Sequence, residues 1–249
     1  MSNKLAVYDR NQHEQEFFDQ LAKDNCEYWG CQTKAGCYRM EMRAQLAQRF
    51  LGLCPGMKIL DLGCGLGAFT QYLLPYAATI YAIDISSATI AQVKMRISSL
   101  NVIFSVQDAH HLSFADNFFD AVVGNATLHH LDLSCALLEI QRVVKPHGQI
   151  FFTEPNMANP QNWLERHVRF IGKLMRNSPD ETAFYRWQLK KKLKAAGFIN
   201  VSAEPFDFIY PAIPEAWIGP VKKMSDFLEK IPLLREIAGS LLITGQKER

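Results

Sequence analysis

Three carboxylates, a glycine-rich turn and a histidine pair are the residues of this chain whose types and spacing could do chemistry. Lys58-Ile59-Leu60-Asp61-Leu62-Gly63-Cys64-Gly65-Leu66-Gly67-Ala68-Phe69 passes from a short apolar run through an acidic residue into alternating glycines. Such a turn brings bare backbone against a nucleoside-bearing small molecule, because glycine takes angles other residues avoid and has no side chain to block approach. Asp61 makes the local field negative, which disfavours a phosphate and favours a cationic or hydroxyl-bearing group. Asp84 closes the run Tyr81-Ala82-Ile83-Asp84. At this offset from the turn a carboxylate accepts both hydroxyls of a ribose; the competing reading is an N-cap for a helix starting near Ser87. Asp108, in Val106-Gln107-Asp108-Ala109, can accept from an exocyclic amine such as that of adenine, or cap a turn. His129 and His130 point in different directions if helical, so at most one faces a substrate. Imidazole suits proton removal near neutral pH, and His130 is the first candidate, with His129 as fallback. Glu154, ahead of Pro155, is a third candidate base or a turn carboxylate.

The elements that must hold these residues alternate. Strands are expected at 58–62, 79–84, 102–106, 119–124 and 148–153, with helices at 68–77, 87–99 and 134–144 between most of them. Alternation of this kind gives a parallel sheet with helices on both faces and ligands beyond the strand carboxyl ends. Before it, residues 1–57 read as an amphipathic helical cap, with a helix over Tyr38–Phe50 and a break at Pro55-Gly56. After it, 160–176 and 182–196 read as helices, the second closed by Gly197, and Ile199–Phe208 and Ser240–Gln246 as strands. Residues 58–249 then form one domain, with a lid-like insertion near 211–238.

Composition narrows the class. The 249 residues are 48% hydrophobic and 21% charged, enough to bury a core. A net charge of +2 implies no strong nucleic-acid field. No apolar segment is long enough to span a bilayer and the first residues show no targeting core, so a cytoplasmic location is the default expectation. Cys26, Cys31 and Cys37 lie close together, but no fourth ligand has zinc-site spacing. The six cysteines read as free thiols, and no metal site is expected.

Gly63, Gly65 and Ala68 also satisfy the loose dinucleotide pattern, which keeps a nicotinamide oxidoreductase as an outside reading. Five elements in order point elsewhere: Asp61-Leu62-Gly63-Cys64-Gly65-Leu66-Gly67, Asp84, Asp108-Ala109, Asp120…Leu128-His129-His130-Leu131, and Arg142-Val143-Val144-Lys145-Pro146-His147-Gly148. Over roughly residues 38–156 the chain closely resembles the class I S-adenosylmethionine-dependent methyltransferases of the broad small-molecule group. The resemblance implies a Rossmann-like α/β fold: a seven-stranded, mostly parallel sheet whose last strand, Ser240–Gln246, is antiparallel beside Ile199–Phe208. It implies S-adenosyl-L-methionine as cofactor, with Asp61, Gly63 and Gly65 around its methionine end. Asp84 would bind the ribose, Ile85 would pack on the adenine, and Asp108 would hold its amine near the Ala109 backbone. Asn125 would line the cofactor pocket, and Tyr38 or Arg39 would reach the cofactor carboxylate.

The acceptor is less legible. Asn125-Ala126-Thr127-Leu128 stands where nucleic-acid and protein amino-methylating members carry an Asn/Asp-Pro-Pro-aromatic motif, and no basic, aromatic stripe suits RNA. Lys190-Lys191-Lys192-Leu193-Lys194 reads as a solvated helix face. A small-molecule acceptor, aromatic or lipid-like, is expected. Its pocket would be formed by the N-terminal helices, the segment after Glu154 and the insertion, with Trp163, Phe170, Phe184, Tyr185, Trp187, Phe206, Phe208, Tyr210 and Trp217 either lining it or in the core. The Trp217–Leu234 stretch reads as an amphipathic helix packed on the sheet, with contact to a membrane surface as the alternative. Oxygen methylation with a histidine base is the leading expectation. Carbon methylation of a quinone or similar lipid, and a non-catalytic cofactor-binding protein, are the alternatives.

Overall fold

The computed structural model describes residues 2–23, 30–76, 78–168, 170, 172, 178 and 181–249, with side chains from residue 10 onward. Its centre is a seven-stranded sheet made of β1 (Lys58–Leu62), β2 (Thr79–Asp84), β3 (Val102–Val106), β4 (Phe119–Asn125), β5 (Val144–Pro155), β6 (Phe198–Phe206) and β7 (Ser240–Lys247), in the order β3-β2-β1-β4-β5-β7-β6. Strands β1 to β5 pair in parallel, and β7 runs antiparallel between β5 and β6. The central strands read as near-continuous apolar runs because both faces are covered. Ile59, Leu60 and Leu62 of β1 are fully buried, as are Val122 and Val123 of β4.

Each face has its own layer. On one, Leu137 and Ile140 of α5 (Leu133–Val143) and Leu189 and Leu193 of α7 (Arg186–Ala195) pack on Val122, Ile150 and Phe152. On the other, Met40, Ala44 and Ala47 of α2 (Lys34–Leu51) and Ile90 and Val93 of α4 (Ser87–Arg96) cover Ile59, Ile80 and Phe151. Local chemistry sets the helix starts. Thr33 Oγ1 accepts from Gly36 N at 2.9 Å, which begins α2 four residues ahead of the expected Tyr38. Ser86 Oγ accepts from Thr89 N at 3.0 Å, so Ser86 and not Asp84 caps α4. Asp132 accepts from Ser134 N and Cys135 N to begin α5. Helix α1 (Ser2–Lys23) is docked on the start of α4, where Asp19 Oδ1 accepts from Ser86 Oγ at 2.5 Å and Ala88 N at 3.2 Å.

Several expected boundaries move. The stretch 68–77 is not one helix: α3 (Thr70–Leu73) passes into a 3-10 turn at Leu74–Tyr76, because Pro75 has no N–H to continue an α-helix. Strand β5 starts at Val144 rather than 148, carrying Pro146 and a positive-φ His147 where its register against β4 shifts. The expected helix 160–176 is described as α6 (Pro160–His167), and most of 173–180 lies outside the described residues. Helix α7 begins at Arg186 because Phe184 is drawn into a bridge with Asn156. Gly197 follows its last turn at φ +91°, as a C-terminal glycine should.

Residues 211–238 form α8 (Glu215–Leu228) and α9 (Pro232–Arg235). The expected packing of this segment on the sheet is only half met. Ser225 turns inward, while Trp217, Met224 and Phe227 stay 61%, 50% and 63% exposed. Cys31, Cys37, Cys54, Cys64 and Cys135 are free thiols, and Cys26 lies outside the described residues. Among the described residues no helix is long and apolar enough to cross a membrane.

Candidate active site

A cavity of about 1100 Å³ opens beyond the carboxyl ends of the parallel strands, where ligands collect in doubly wound sheets. Asp61, Asp84 and Asp108 line it from the ends of β1, β2 and β3 in turn, with Gly63, Gly65, Ile85, Ala109 and Asn125 between them. The β1 turn is shaped by its glycines. Gly63 has φ +69°, and a Cβ there would meet Thr127 Cγ2 at 2.5 Å; Gly65 has φ +51° and a Cβ there would meet nothing within 4 Å. The first glycine is thus required by packing, and the second leaves backbone bare to the cavity.

The three carboxylates are held differently. Asp61 is 1% exposed and, among the described residues, accepts only from Thr70 Oγ1, at 2.6 Å. Burial, with Asp84 adding like-charge repulsion, pushes its pKa up to about 7 despite that hydrogen bond. Asp84 accepts from Gly65 N at 3.0 Å and Ser86 N at 2.9 Å, and burial raises its pKa as well. Each oxygen keeps a lone pair for a ribose hydroxyl. Asp108 Oδ1 accepts from His110 N at 2.9 Å and lies 2.7 Å from His110 Nδ1, while Oδ2 accepts from Asn11 Nδ2 at 2.7 Å. His110 Nε2 accepts from Asp132 N, which puts the ring proton on Nδ1, facing Asp108. Burial pushes Asp108 upward, but these hydrogen bonds outweigh it and hold the group below the usual carboxylate range. The turn-capping reading of Asp108 is met through His110 N, and Oδ2 already has the amide of Asn11 as its donor.

Both histidines reach the cavity wall, and each has a carboxylate at Nδ1. His129 Nδ1 lies 2.7 Å from Glu154 Oε2, and Glu154 Oε1 accepts from Thr127 N and Leu128 N. Glu154 thus fastens the turn after β4 to β5. Burial, then the neighbouring His130, lowers the pKa of His129. His130 Nδ1 lies 3.1 Å from Glu14 Oε2, and Phe18 meets the ring edge-on at 5.2 Å. Burial alone would lower His130, but Glu14 overrides it and the net shift is upward. Glu14 itself is 4% exposed and accepts from Ser178 Oγ at 2.5 Å. Ligating atoms of His129, His130 and Glu181 come within 4.8 Å of one another, with Arg166 3.3 Å from Glu181 supplying positive charge beside them.

Of Tyr38 and Arg39, the second is the one that reaches the cavity. Tyr38 is absent from the lining; one residue further along α2 the helix turns Arg39 inward, and Arg43 follows one turn later. Asn125 lines the cavity as expected, and its Oδ1 accepts from Arg43 Nη1 and, at 2.7 Å, from Thr153 Oγ1. Of the expected aromatics only Phe208 and Tyr210 line it. Phe184 and Phe206 are core, whereas Trp163, Phe170, Trp187 and Trp217 are exposed. Sequence reasoning missed Asn11, Glu14, Arg43 and Asp207, none of which carries a local motif.

Comparison with known proteins places this arrangement. Residues 60–152 match the methyltransferase domain family. An uncharacterized methyltransferase of Synechocystis sp. is 32% identical over 123 residues, 48% of this chain and 56% of its own length. A demethylmenaquinone methyltransferase of Corynebacterium urealyticum is 30% identical over 171 residues, 62% of this chain and 73% of its own. The chain thus spans just over half of the first relative and nearly three quarters of the second. The solved phosphoethanolamine N-methyltransferase 2 of Haemonchus contortus, in complex with S-adenosyl-L-methionine, superposes with a TM-score of 0.63 at 18% identity, covering 93% of this chain and 60% of that one. The chain belongs to the class I S-adenosylmethionine-dependent methyltransferases.

Proposed function

We propose that this enzyme methylates a small, largely apolar acceptor at a hydroxyl oxygen, with His130 as the base. In this reading Asp84 accepts the ribose hydroxyls of the cofactor, Asp108 its adenine amine, and Asp61 sits near the charge of its methionine end. Ile85 and Ala109 lie against the adenine, and Gly63, Gly65 and Asn125 border the methionine. Held by these residues, the cofactor would supply an electrophilic methyl group on positive sulfur for an acceptor oxygen placed in line with the S–C bond. His130 takes the hydroxyl proton. The chain's larger contribution is holding the acceptor in line, an effect worth ~7–11 kcal/mol in well-oriented systems.

The observation that carries the reading is His130 on the cavity wall with Nδ1 beside Glu14. That leaves Nε2 for the substrate and gives the imidazolium a counter-ion once formed. Glu154 is assigned to bracing: three donors already converge on its two oxygens. Incubation with methyl-labelled cofactor and fractionated cell extract, followed by mass spectrometry of labelled products, tests the activity and identifies the acceptor. His130→Ala should lower turnover by roughly a hundredfold or more and leave S-adenosylhomocysteine affinity nearly unchanged. Equal turnover of the two proteins across pH would remove His130 from this role.

A second reading, carbon methylation of a quinol-like lipid, is favoured by the name of the Corynebacterium relative and by the apolar wall of Phe208, Ile209 and Tyr210. Membrane-lipid fractions run beside delipidated extract in the same labelling assay separate the two.

A further inference from the structure

Helix α8 turns an apolar face to the outside. Trp217, Val221, Met224 and Leu228 recur at the spacing of one helix face, with Phe227 beside Met224. Trp217, Met224 and Phe227 are exposed, and Val221 and Leu228 are half-buried. The opposite side is the fastened one. Ser225 Oγ accepts from Phe208 N at 3.1 Å and donates to Glu229 Oε1 at 2.8 Å, which fixes the helix to the cavity wall. Glu215, Lys222 and Asp226 share a third side, where Lys222 Nζ donates to Asp226 Oδ2 at 2.6 Å.

Two lysines edge the apolar face. Lys223 stands four residues before Phe227, and Lys230 three residues after it. Such spacings make them surface neighbours of that ring. Both are exposed, and neither has an ion-pair partner among the described residues. The apolar surface continues past α8, since Leu233 is 85% exposed and Leu234 and Ile237 are exposed as well. Asn159 Nδ2 donates to Ile237 O at 2.8 Å, which ties α6, with its exposed Trp163 and Leu164, to the same rim. Tyr210, Pro211 and Ala212 line the cavity, and α8 begins three residues further on at Glu215. The apolar rim therefore borders the cavity.

A contiguous row of exposed aromatic and aliphatic side chains marks an interaction surface. The lysines decide its occupant. Lysine is depleted at protein–protein interfaces and favoured beside anionic lipid headgroups. Tryptophan and phenylalanine opposite a polar helix face suit the boundary between headgroups and acyl chains. We infer that the exposed face of α8 docks on an anionic lipid bilayer, with Trp217, Met224 and Phe227 entering the acyl boundary and Lys223 and Lys230 meeting headgroup phosphates. An apolar acceptor can then pass from the lipid along Tyr210 and Phe208 into the cavity without crossing bulk water. That passage rests on the apolar-acceptor reading above; the docking does not.

The test is flotation of the full chain with phosphatidylcholine vesicles, with and without phosphatidylglycerol, beside sedimentation of the protein alone. The chain should float with the anionic vesicles, less with the neutral ones, and more weakly as salt is raised. Trp217→Ser combined with Phe227→Ser should lower the bound fraction on both vesicles. Lys223→Glu combined with Lys230→Glu should weaken binding to the anionic vesicles by about tenfold or more. Both proteins should keep the wild-type affinity for S-adenosylhomocysteine. The charge variant carries the test if the apolar one does not fold. No binding to either vesicle overturns the inference, as does equal binding to both or binding that neither variant weakens. So does self-association without flotation that the apolar variant abolishes, since a second copy would then be the occupant. Anionic-vesicle binding with no labelled product from any lipid fraction would uphold the docking and strike the apolar-acceptor reading instead.

Discussion

His130 Nδ1 and Glu14 Oε2 lie 3.1 Å apart, joining the turn after β4 to a helix near the start of the chain. Both partners are nearly buried, with side chains 12% and 5% exposed. The carboxylate stabilises the imidazolium and raises its pKa over the opposing effect of burial. A base must be neutral to accept a proton, so turnover should rise with pH through a midpoint above the ordinary histidine value. Glu14→Gln removes the charge that holds the proton. The expected outcome is a midpoint displaced to lower pH, read from kcat against pH in the labelled-methyl assay. A profile that Glu14→Gln leaves in place would show that His130 is not the titrating group.

Asp61 gives a binding signature. Its folded pKa of about 7 stands above the ordinary 3.8, so between those values the folded chain holds a proton that the unfolded chain has lost. Its contribution to stability is complete below about pH 4 and is lost as pH rises towards 7. A cationic ligand beside it favours the carboxylate and expels the proton. Titration of S-adenosylmethionine in buffers of different ionisation enthalpy should show release of roughly half a proton per ligand at pH 7. Asp61→Asn should abolish the release. Unchanged release in that variant would move the linkage to another group.

Glu154 separates bracing from chemistry. Glu154→Ala strands Thr127 N, Leu128 N and the His129 ring in a buried site, where Glu154 itself is 1% exposed. A buried donor left without its acceptor costs about 1–3 kcal/mol. Chemical denaturation should show that loss, and Glu154→Gln, which still accepts, should recover part of it. A Glu154→Ala protein of wild-type stability but no turnover would instead make Glu154 a participant in the reaction.

The β1 to β4 half of the site was legible because its signals are local. An apolar run, a glycine turn and a terminal carboxylate sit within a dozen residues of one another, and Asp61, Asp84 and Asp108 recur in the order of the strands they end. The protonation of Asp61 was not legible, since it depends on burial that no spacing reports; the sequence alone suggests a full negative charge there. Glu14 and Arg43 escaped for a different reason. Their partners, His130 and Asp207, are 116 and 164 residues away, and a helix periodicity says which face is buried but not what it meets. Asp207 sits at φ +69°, where its Oδ1 accepts from Ile209 N and its carbonyl from Gly239 N, contacts that no local pattern announces. The exposed Trp163, Trp187 and Trp217 mark the reverse error, because an aromatic residue near a sheet end can as readily face solvent as a pocket.

The assignment of the carboxylate row to a nucleoside is tested most directly by calorimetric titration of S-adenosylhomocysteine into the wild type and Asp84→Ala. The wild type should bind it and ignore NAD, and the variant should lose ~1–3 kcal/mol through its missing hydrogen bonds to the ribose. Equal affinity of the two proteins, or heat from NAD with none from S-adenosylhomocysteine, would contradict the account.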